Sequence, residues 1–173
     1  LYRADGYAEY QGVTMSDPTT ETLLAFHEVS FGYNPKTRMA LSKLSLEVEE
    51  GSIMAILGPN GAGKTTTLKL FTDLIRPSSG EALINGASVH TQKKKALESV
   101  GALIETPEIY PALTAREGLS MIADIRGVPK AEQNKRIEDS LQEVHMEEWV
   151  DKRMGKFSKG MKQRVCVASA LLS

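Results

Sequence analysis

Hydrophobic and polar positions follow a mostly strand-like rhythm over the first hundred residues of this chain and a helical one afterwards. Residues 23–31 (LLAFHEVSF) and then Leu44, Leu46 and Val48 read as strands, the second alternating apolar with polar as a half-buried strand does. Asn34-Pro35 marks a turn between them. Residues 53–57 (IMAIL) are wholly apolar and end in Gly-Pro-Asn-Gly, the pattern of a central strand buried on both faces. Leu68, Phe71 and Ile75 then recur at helical spacing, and Pro77, Ser78, Ser79 and Gly80 stop that helix. Strand, glycine loop and helix together predict a βα unit of a parallel sheet. Residues 82–84 and Val89 flank Asn85-Gly86, a two-residue hairpin signal, and residues 100–104 (VGALI) predict another buried strand.

From Thr114 the period becomes helical. Thr114 with Glu117 three residues on forms a capping box, and Leu119, Ile122 and Ile125 follow before Gly127 and Pro129 end the helix. Ile137, Leu141 and Val144 mark one face of a second helix. The last run, residues 165–173 (VCVASALLS), stops with neither cap nor polar tail, so the chain is expected to be the front part of a longer domain. At the other end, Met15 before Ser16-Asp17-Pro18 is the expected translation start, with a disordered tail the alternative for residues 1–14.

Composition narrows the function classes. Apolar residues at 41% and charged residues at 25% match a folded globular chain and remove collagen, coiled-coil and disordered readings. Lys plus Arg number 21 against 22 Asp plus Glu, so no global basic field draws nucleic acid or anionic lipid. The short run Lys93-Lys94-Lys95 is expected to be a solvated face. One cysteine, Cys166, builds neither a disulfide nor a zinc site and suits a reducing compartment. No run approaches the roughly 18–20 apolar residues that cross a bilayer, so any membrane contact comes through a partner.

The sharpest signal is chemical. Gly58-Pro59-Asn60-Gly61-Ala62-Gly63-Lys64-Thr65 fits G-x-x-x-x-G-K-[ST] between a strand and a helix, where unpaired backbone N–H groups and a positive helix end face phosphate oxygens. Lys64 reaches the β- and γ-phosphates in such a loop, the Thr65 hydroxyl ligates Mg²⁺, and Thr66 offers its N–H and hydroxyl to the α-phosphate. A glycine-rich turn without a ligand leaves Lys64 and Thr65 unexplained.

The segment GPNGAGKTT resembles the Walker A motif of the ABC transporter ATPases, and the rest of the chain follows that family's order. In the family an aromatic residue ahead of Walker A stacks on adenine, and Tyr33 of Phe31-Gly32-Tyr33 stands there; taken alone, an aromatic at a strand end more often serves packing. Phe157-Ser158-Lys159-Gly160-Met161-Lys162-Gln163-Arg164 corresponds to the family signature. Ser158 is its expected N-cap and Gly160 its close-approach residue, and together they bind the γ-phosphate of ATP held by the opposite subunit. Met161, Val165, Ala168 and Leu172 continue that helix. Lys159 replaces the commonest glycine. Where the family has its Q-loop glutamine, this chain has Glu105, a carboxylate still able to ligate Mg²⁺ and to act in the catalytic site beside Lys64; taken alone it is a polar residue after a strand. Glu105, Tyr110-Pro111-Ala112-Leu113-Thr114 and the GMKQR form of the signature are similar to bacitracin-resistance and lantibiotic-immunity exporters.

The resemblance implies an α/β P-loop NTPase fold with an ABC-type antiparallel β subdomain and a helical subdomain, incomplete at its C-terminus. Residues 1–22 are the expected extension, residues 23–173 a partial ATP-binding domain, and residues 106–160 approximately the helical subdomain. It further implies an ATP-binding subunit, cytoplasmic and peripheral on the inner face of the cell membrane. That subunit pairs as a nucleotide-binding homodimer or pseudo-dimer, hydrolyses ATP with Mg²⁺ and drives export through a transmembrane permease. The Mg²⁺-linked aspartate of Walker B with its adjacent catalytic glutamate, the D-loop and the switch histidine follow the signature in the family. None of His27, His90 and His145 does so here, and the chain alone is expected to be inactive. A non-transport ABC ATPase and an ATP-sensing regulator without turnover are the alternatives. A P-loop kinase or GTPase needs neither Tyr33 nor FSKGMKQR.

Overall fold

The computed structural model describes residues 21–34, 39–104 and 110–172. They form two compact units, one within Leu1–Glu98 and one within Ser99–Ser173.

The first unit is built on an antiparallel sheet of β1 (Thr22–Phe31), β2 (Leu41–Glu49), β3 (Ser79–Ile84) and β4 (Ala87–Ser88), in the order β2-β1-β3-β4. In β1, Phe26 and Val29 are both buried although three residues apart, a spacing that a regular strand sends to opposite faces. A register shift between them, with Glu28 at φ 49°, turns Val29 back to the core. Gly80 (φ 82°) lies against the backbone of His27 and Glu28 at that bulge, where a Cβ has no room. Asn85-Gly86 forms the expected hairpin, with φ 49° and 67°, the two left-handed residues of a type I′ turn.

Helix α1 (Lys64–Phe71) packs Phe71 on Phe26 with ring centroids 3.9 Å apart and buries Leu70 beside them. It stops four residues short of the expected Ile75, and its buried face is Thr66, Thr67, Leu70 and Phe71, with Leu68 turned outward. The stop comes from the backbone: Asp73 adopts φ 52°, and the Leu74 N–H donates back to the Lys69 carbonyl at 3.0 Å. Short α2 (Lys93–Leu97) follows β4. Lys94 and Lys95 are exposed as expected, but Lys93 Nζ pairs with Asp73 Oδ2 at 3.0 Å.

The second unit holds α3 (Ala115–Ile125), α4 (Lys130–Glu143) and α5 (Lys159–Leu171) around a core that includes Leu119, Ile137, Leu141, Met146, Val165 and Leu172. Thr114 and Glu117 make the capping box of α3 in both directions. Helices α3 and α4 end as α1 does, through Gly127 (φ 74°) and His145 (φ 54°). The following N–H reaches back each time, Val128 to Ala123 at 2.9 Å and Met146 to Leu141 at 2.8 Å, and both of these apolar residues are buried. Cys166 is buried in α5, and that burial pushes its thiol pKa up.

Two expectations fail. Residues 53–57 and 100–104 are not strands, and Ile53 is 99% and Leu57 83% exposed. Apolar, β-branched sequence becomes a buried strand only when neighbouring strands supply a ladder and cover its faces, and among the described residues every ladder belongs to β1–β4. The expected extension at residues 1–22 lies outside the described residues up to residue 20, and β1 begins at Thr22.

Asp73 joins the end of α1 to the stretch after β4. Its side chain, 7% exposed, faces Lys93 at 3.0 Å, His90 Nδ1 at 3.5 Å and Arg76 at 3.9 Å. Burial alone raises a carboxyl pKa, but the hydrogen bond and charge of Lys93, with Arg76 and His90, outweigh it and hold Asp73 below the usual carboxylate range. A pKa lowered on folding contributes stability that is complete above the unfolded value, about 3.9, and is lost as pH falls through the lower folded value. Asp73→Asn is therefore expected to cost about 1–2 kcal/mol at pH 7. It should also lose stability less steeply than the native chain below about pH 5, as urea unfolding at neutral and acid pH will show.

Candidate functional site

The glycine loop lies in the first unit between residues 53–57 and α1. Gly61 (φ 83°) and Gly63 (φ 90°) are left-handed, and Gly63 is the N-cap of α1. A Cβ on Gly63 meets Leu41 Cδ2 at 2.7 Å and the Ala40 carbonyl at 2.9 Å, so β2 closes from below the space a side chain needs. Because the cap is a glycine, no side chain caps the helix, and no acidic residue stands in its first turn. The first N–H groups of an α-helix have no acceptor within the helix and together make the positive end of its dipole.

Lys64 folds over this loop. Its Nζ donates to the Gly58 carbonyl at 2.7 Å and the Pro59 carbonyl at 2.8 Å, which places the ammonium over the ring of the loop with one of its three donors left. The Pro59 carbonyl also accepts the Ala62 N–H at 3.2 Å and so closes the turn through Asn60 and Gly61. Thr65 is exposed at the second position of α1, whereas Thr66 and Thr67 are buried. Thr67, which the sequence did not single out, donates both its N–H, at 2.9 Å, and its hydroxyl, at 3.0 Å, to the Gly63 carbonyl. The i−4 spacing inside GKTTT was the available signal for this lock.

Tyr33 comes to the same place from the end of β1. Its ring meets Phe31 edge-on, centroids 4.9 Å apart at 84°, and its hydroxyl lies 3.4 Å from Thr66 Oγ1. The ring is 69% exposed. Tyr33 is thus gathered with the loop and Thr66 in one site.

The signature residues sit in the second unit. Ser158 caps α5, its Oγ accepting the Met161 N–H at 3.2 Å, and exposed Gly160 opens the first turn, where no acidic residue stands. Helix α3 is closed by contrast, because Glu117 accepts the Thr114 N–H at 2.7 Å and the Thr114 hydroxyl at 3.1 Å. These bonds hold the Glu117 carboxyl below its ordinary pKa. Glu105 lies outside the described residues. Among the described residues no three His, Cys, Asp or Glu side chains converge as a metal site, and no helix is long and apolar enough to cross a membrane.

The ABC transporter family profile matches residues 41–173, most of the chain, including the loop, α1 and the Ser158 cap. The chain belongs to the ABC transporter family. It is 40% identical over 136 residues to the bacitracin transport ATP-binding protein BcrA of Bacillus licheniformis, covering 79% of this chain and 44% of that protein. To the SkfA peptide export ATP-binding protein SkfE of Bacillus subtilis (strain 168) it is 41% identical over 132 residues, 75% of this chain and 53% of that protein. The ATP-binding cassette MJ0796, solved as a dimer in a post-hydrolysis state bound to ADP and Pi, superposes with a TM-score of 0.74 at 25% identity, over 87% of this chain and 69% of that one. The chain spans about half the length of these curated relatives. The likeness to exporter ATPases read from GMKQR and its neighbours is borne out by these relatives, as is the ABC-type α/β fold.

The left-handed backbone and the contact beneath it make Gly63 the most constrained position of the loop. Gly63→Ala is expected to destabilise the first unit by about 1–3 kcal/mol, strain and clash together. Gly61→Ala, with open space around its Cβ, should cost less, about 1 kcal/mol of strain alone. Urea unfolding of the two variants side by side gives the order.

Proposed function

We propose that this chain is the nucleotide-binding part of an ABC transporter ATPase. That ATPase hydrolyses ATP and drives export of a peptide or drug through a separate transmembrane permease. The observation that carries this reading is the N-terminus of α1, whose glycine cap provides no capping side chain, with the Lys64 ammonium held over the loop ahead of it. A polyanion is the ligand such a site suits, and the family supplies ATP as that polyanion.

Each residue has a part in the binding. The backbone of Gly58, Pro59, Asn60, Gly61, Ala62 and Gly63 wraps the phosphates, and Lys64 turns its ammonium from the Gly58 and Pro59 carbonyls toward the β- and γ-oxygens. Thr66 serves the α-phosphate and Tyr33 the adenine. The exposed Thr65 hydroxyl is a hard oxygen donor, which fits Mg²⁺, an ion that keeps waters and substrate phosphates among its ligands. Glu105 is the second protein ligand we assign. When bound, Mg²⁺ neutralises charge developing on the transferring phosphoryl group.

Ser158 and Gly160 contribute from the opposing copy of a homodimer or pseudo-dimer, and the cassette solved as a dimer with ADP and Pi supports the pairing. Approximately residues 106–160 are the helical subdomain in this reading. The subunit is peripheral on the cytoplasmic face, held there by its permease, and the peptide cargo is suggested by the two exporter relatives. The groups assigned here contact phosphate and metal and include no general base, so the 173-residue chain alone should bind nucleotide with little turnover.

Titration calorimetry with Mg-ATP tests the reading. The native chain is expected to bind, and Lys64→Ala to bind about 10- to 100-fold more weakly, the effect of a lost charge-assisted hydrogen bond. A native chain that binds no Mg-ATP, or a Lys64→Ala chain that binds it equally well, overturns the proposal.

A further inference from the structure

We infer that Thr66 is a positioning residue for Tyr33, so that a pair of hydroxyls couples base binding to phosphate binding. The inference rests on the nucleotide reading above and adds to it the side chain that holds the base platform in place.

A tyrosine with 69% of its surface exposed is free to swing unless something holds it. Two contacts hold this one. The Phe31 ring, buried at the end of β1, meets it edge-on, which fixes the plane of the ring near its root. At the far end the Tyr33 hydroxyl lies 3.4 Å from Thr66 Oγ1, 33 residues away in sequence.

Thr66 is a firm anchor for this contact. It is 6% exposed and sits in the first turn of α1, directly after the two residues that meet the phosphate and the metal. Its hydroxyl carries one proton and two lone pairs, so it can accept from the Tyr33 O–H and still donate its own proton to an α-phosphate oxygen. The Tyr33 O–H, the Thr66 O–H and the anion then form one directed chain of hydrogen bonds. A ring tied in this way enters binding already placed, and less rotamer freedom is lost when a base stacks on it.

The test compares ATP with inorganic tripolyphosphate, both with Mg²⁺, on the full chain by calorimetry. Tyr33→Phe keeps the ring and removes only the hydroxyl. It is expected to weaken ATP about three- to tenfold while changing tripolyphosphate less than about twofold. Thr66→Val should lower the ratio of ATP to tripolyphosphate affinity by a similar factor and Thr66→Ser should restore it. The Tyr33→Phe/Thr66→Val double variant should lower that ratio no further than either single change. If Tyr33→Phe binds ATP as the native chain does while Tyr33→Ala binds it weakly, the platform stands and the hydroxyl tie is overturned. If Tyr33→Ala also binds ATP normally, adenine stacking at Tyr33 is overturned with it. If the native chain binds neither ligand, the nucleotide reading itself fails.

Discussion

The left-handed backbone at Gly63 is the constraint on which the candidate site depends. A residue with a Cβ meets Leu41 and the Ala40 carbonyl there, so the chain enters α1 through a glycine, and a glycine has no side chain with which to cap the helix. The same turn that admits no Cβ therefore leaves α1 without a capping side chain. Thr67 then anchors the turn from inside the helix, giving both its donors to the Gly63 carbonyl. What looks like a packing requirement between β2 and the loop is also the electrostatic design of the site. In the function we propose, the polar groups that a structural helix satisfies with its own side chains are kept here for a ligand.

The other helix starts show the alternative. At α3 the Glu117 carboxylate takes the place an anion would occupy, fixed by the N–H and hydroxyl of Thr114. At α5 the neutral Ser158 satisfies one N–H, and Lys159 and Lys162 in the first turn leave the region basic. Helices α2 and α4 also begin without a side-chain cap, so α3, α5 and α1 illustrate self-neutralised, partly capped and uncapped starts without being the whole set. At α1 the Lys64 side chain is drawn back over the loop by the Gly58 and Pro59 carbonyls. The function we propose uses the start of α1 for the nucleotide held by this subunit and that of α5 for the nucleotide held by its partner.

What the sequence made legible was local. Asn85-Gly86, the Thr114 and Glu117 pair, and Ser158 three residues before Met161 each specify a turn or a cap from side chains and backbone freedom within four residues, and each forms as expected. Misreadings arose where the deciding contact is distant or purely a matter of backbone. Helix α1 ends through a left-handed aspartate, whose place there is secured by Lys93, twenty residues on, rather than by a glycine that sequence reading would have found. Helix α4 ends the same way at His145, with Met146 as the apolar seal. The bulge that returns Val29 to the core shows only as a three-residue spacing inside a strand, and Gly80, read as part of a helix stop, is the residue that fits against it.

The runs 53–57 and 100–104 carry the same lesson further. Both are apolar enough to be buried strands, yet neither has a ladder among the described residues, and Ile53 is almost wholly exposed. Composition sets which side chains a segment can bury, while the neighbours decide whether it becomes a strand at all. The loop after residues 53–57 keeps its form even so, since what shapes it lies on its other sides: Leu41 beneath Gly63, Thr67 within the helix, Lys64 across the top and Thr66 toward Tyr33. Among the described residues, the contacts that shape the loop therefore come from β1, β2 and α1.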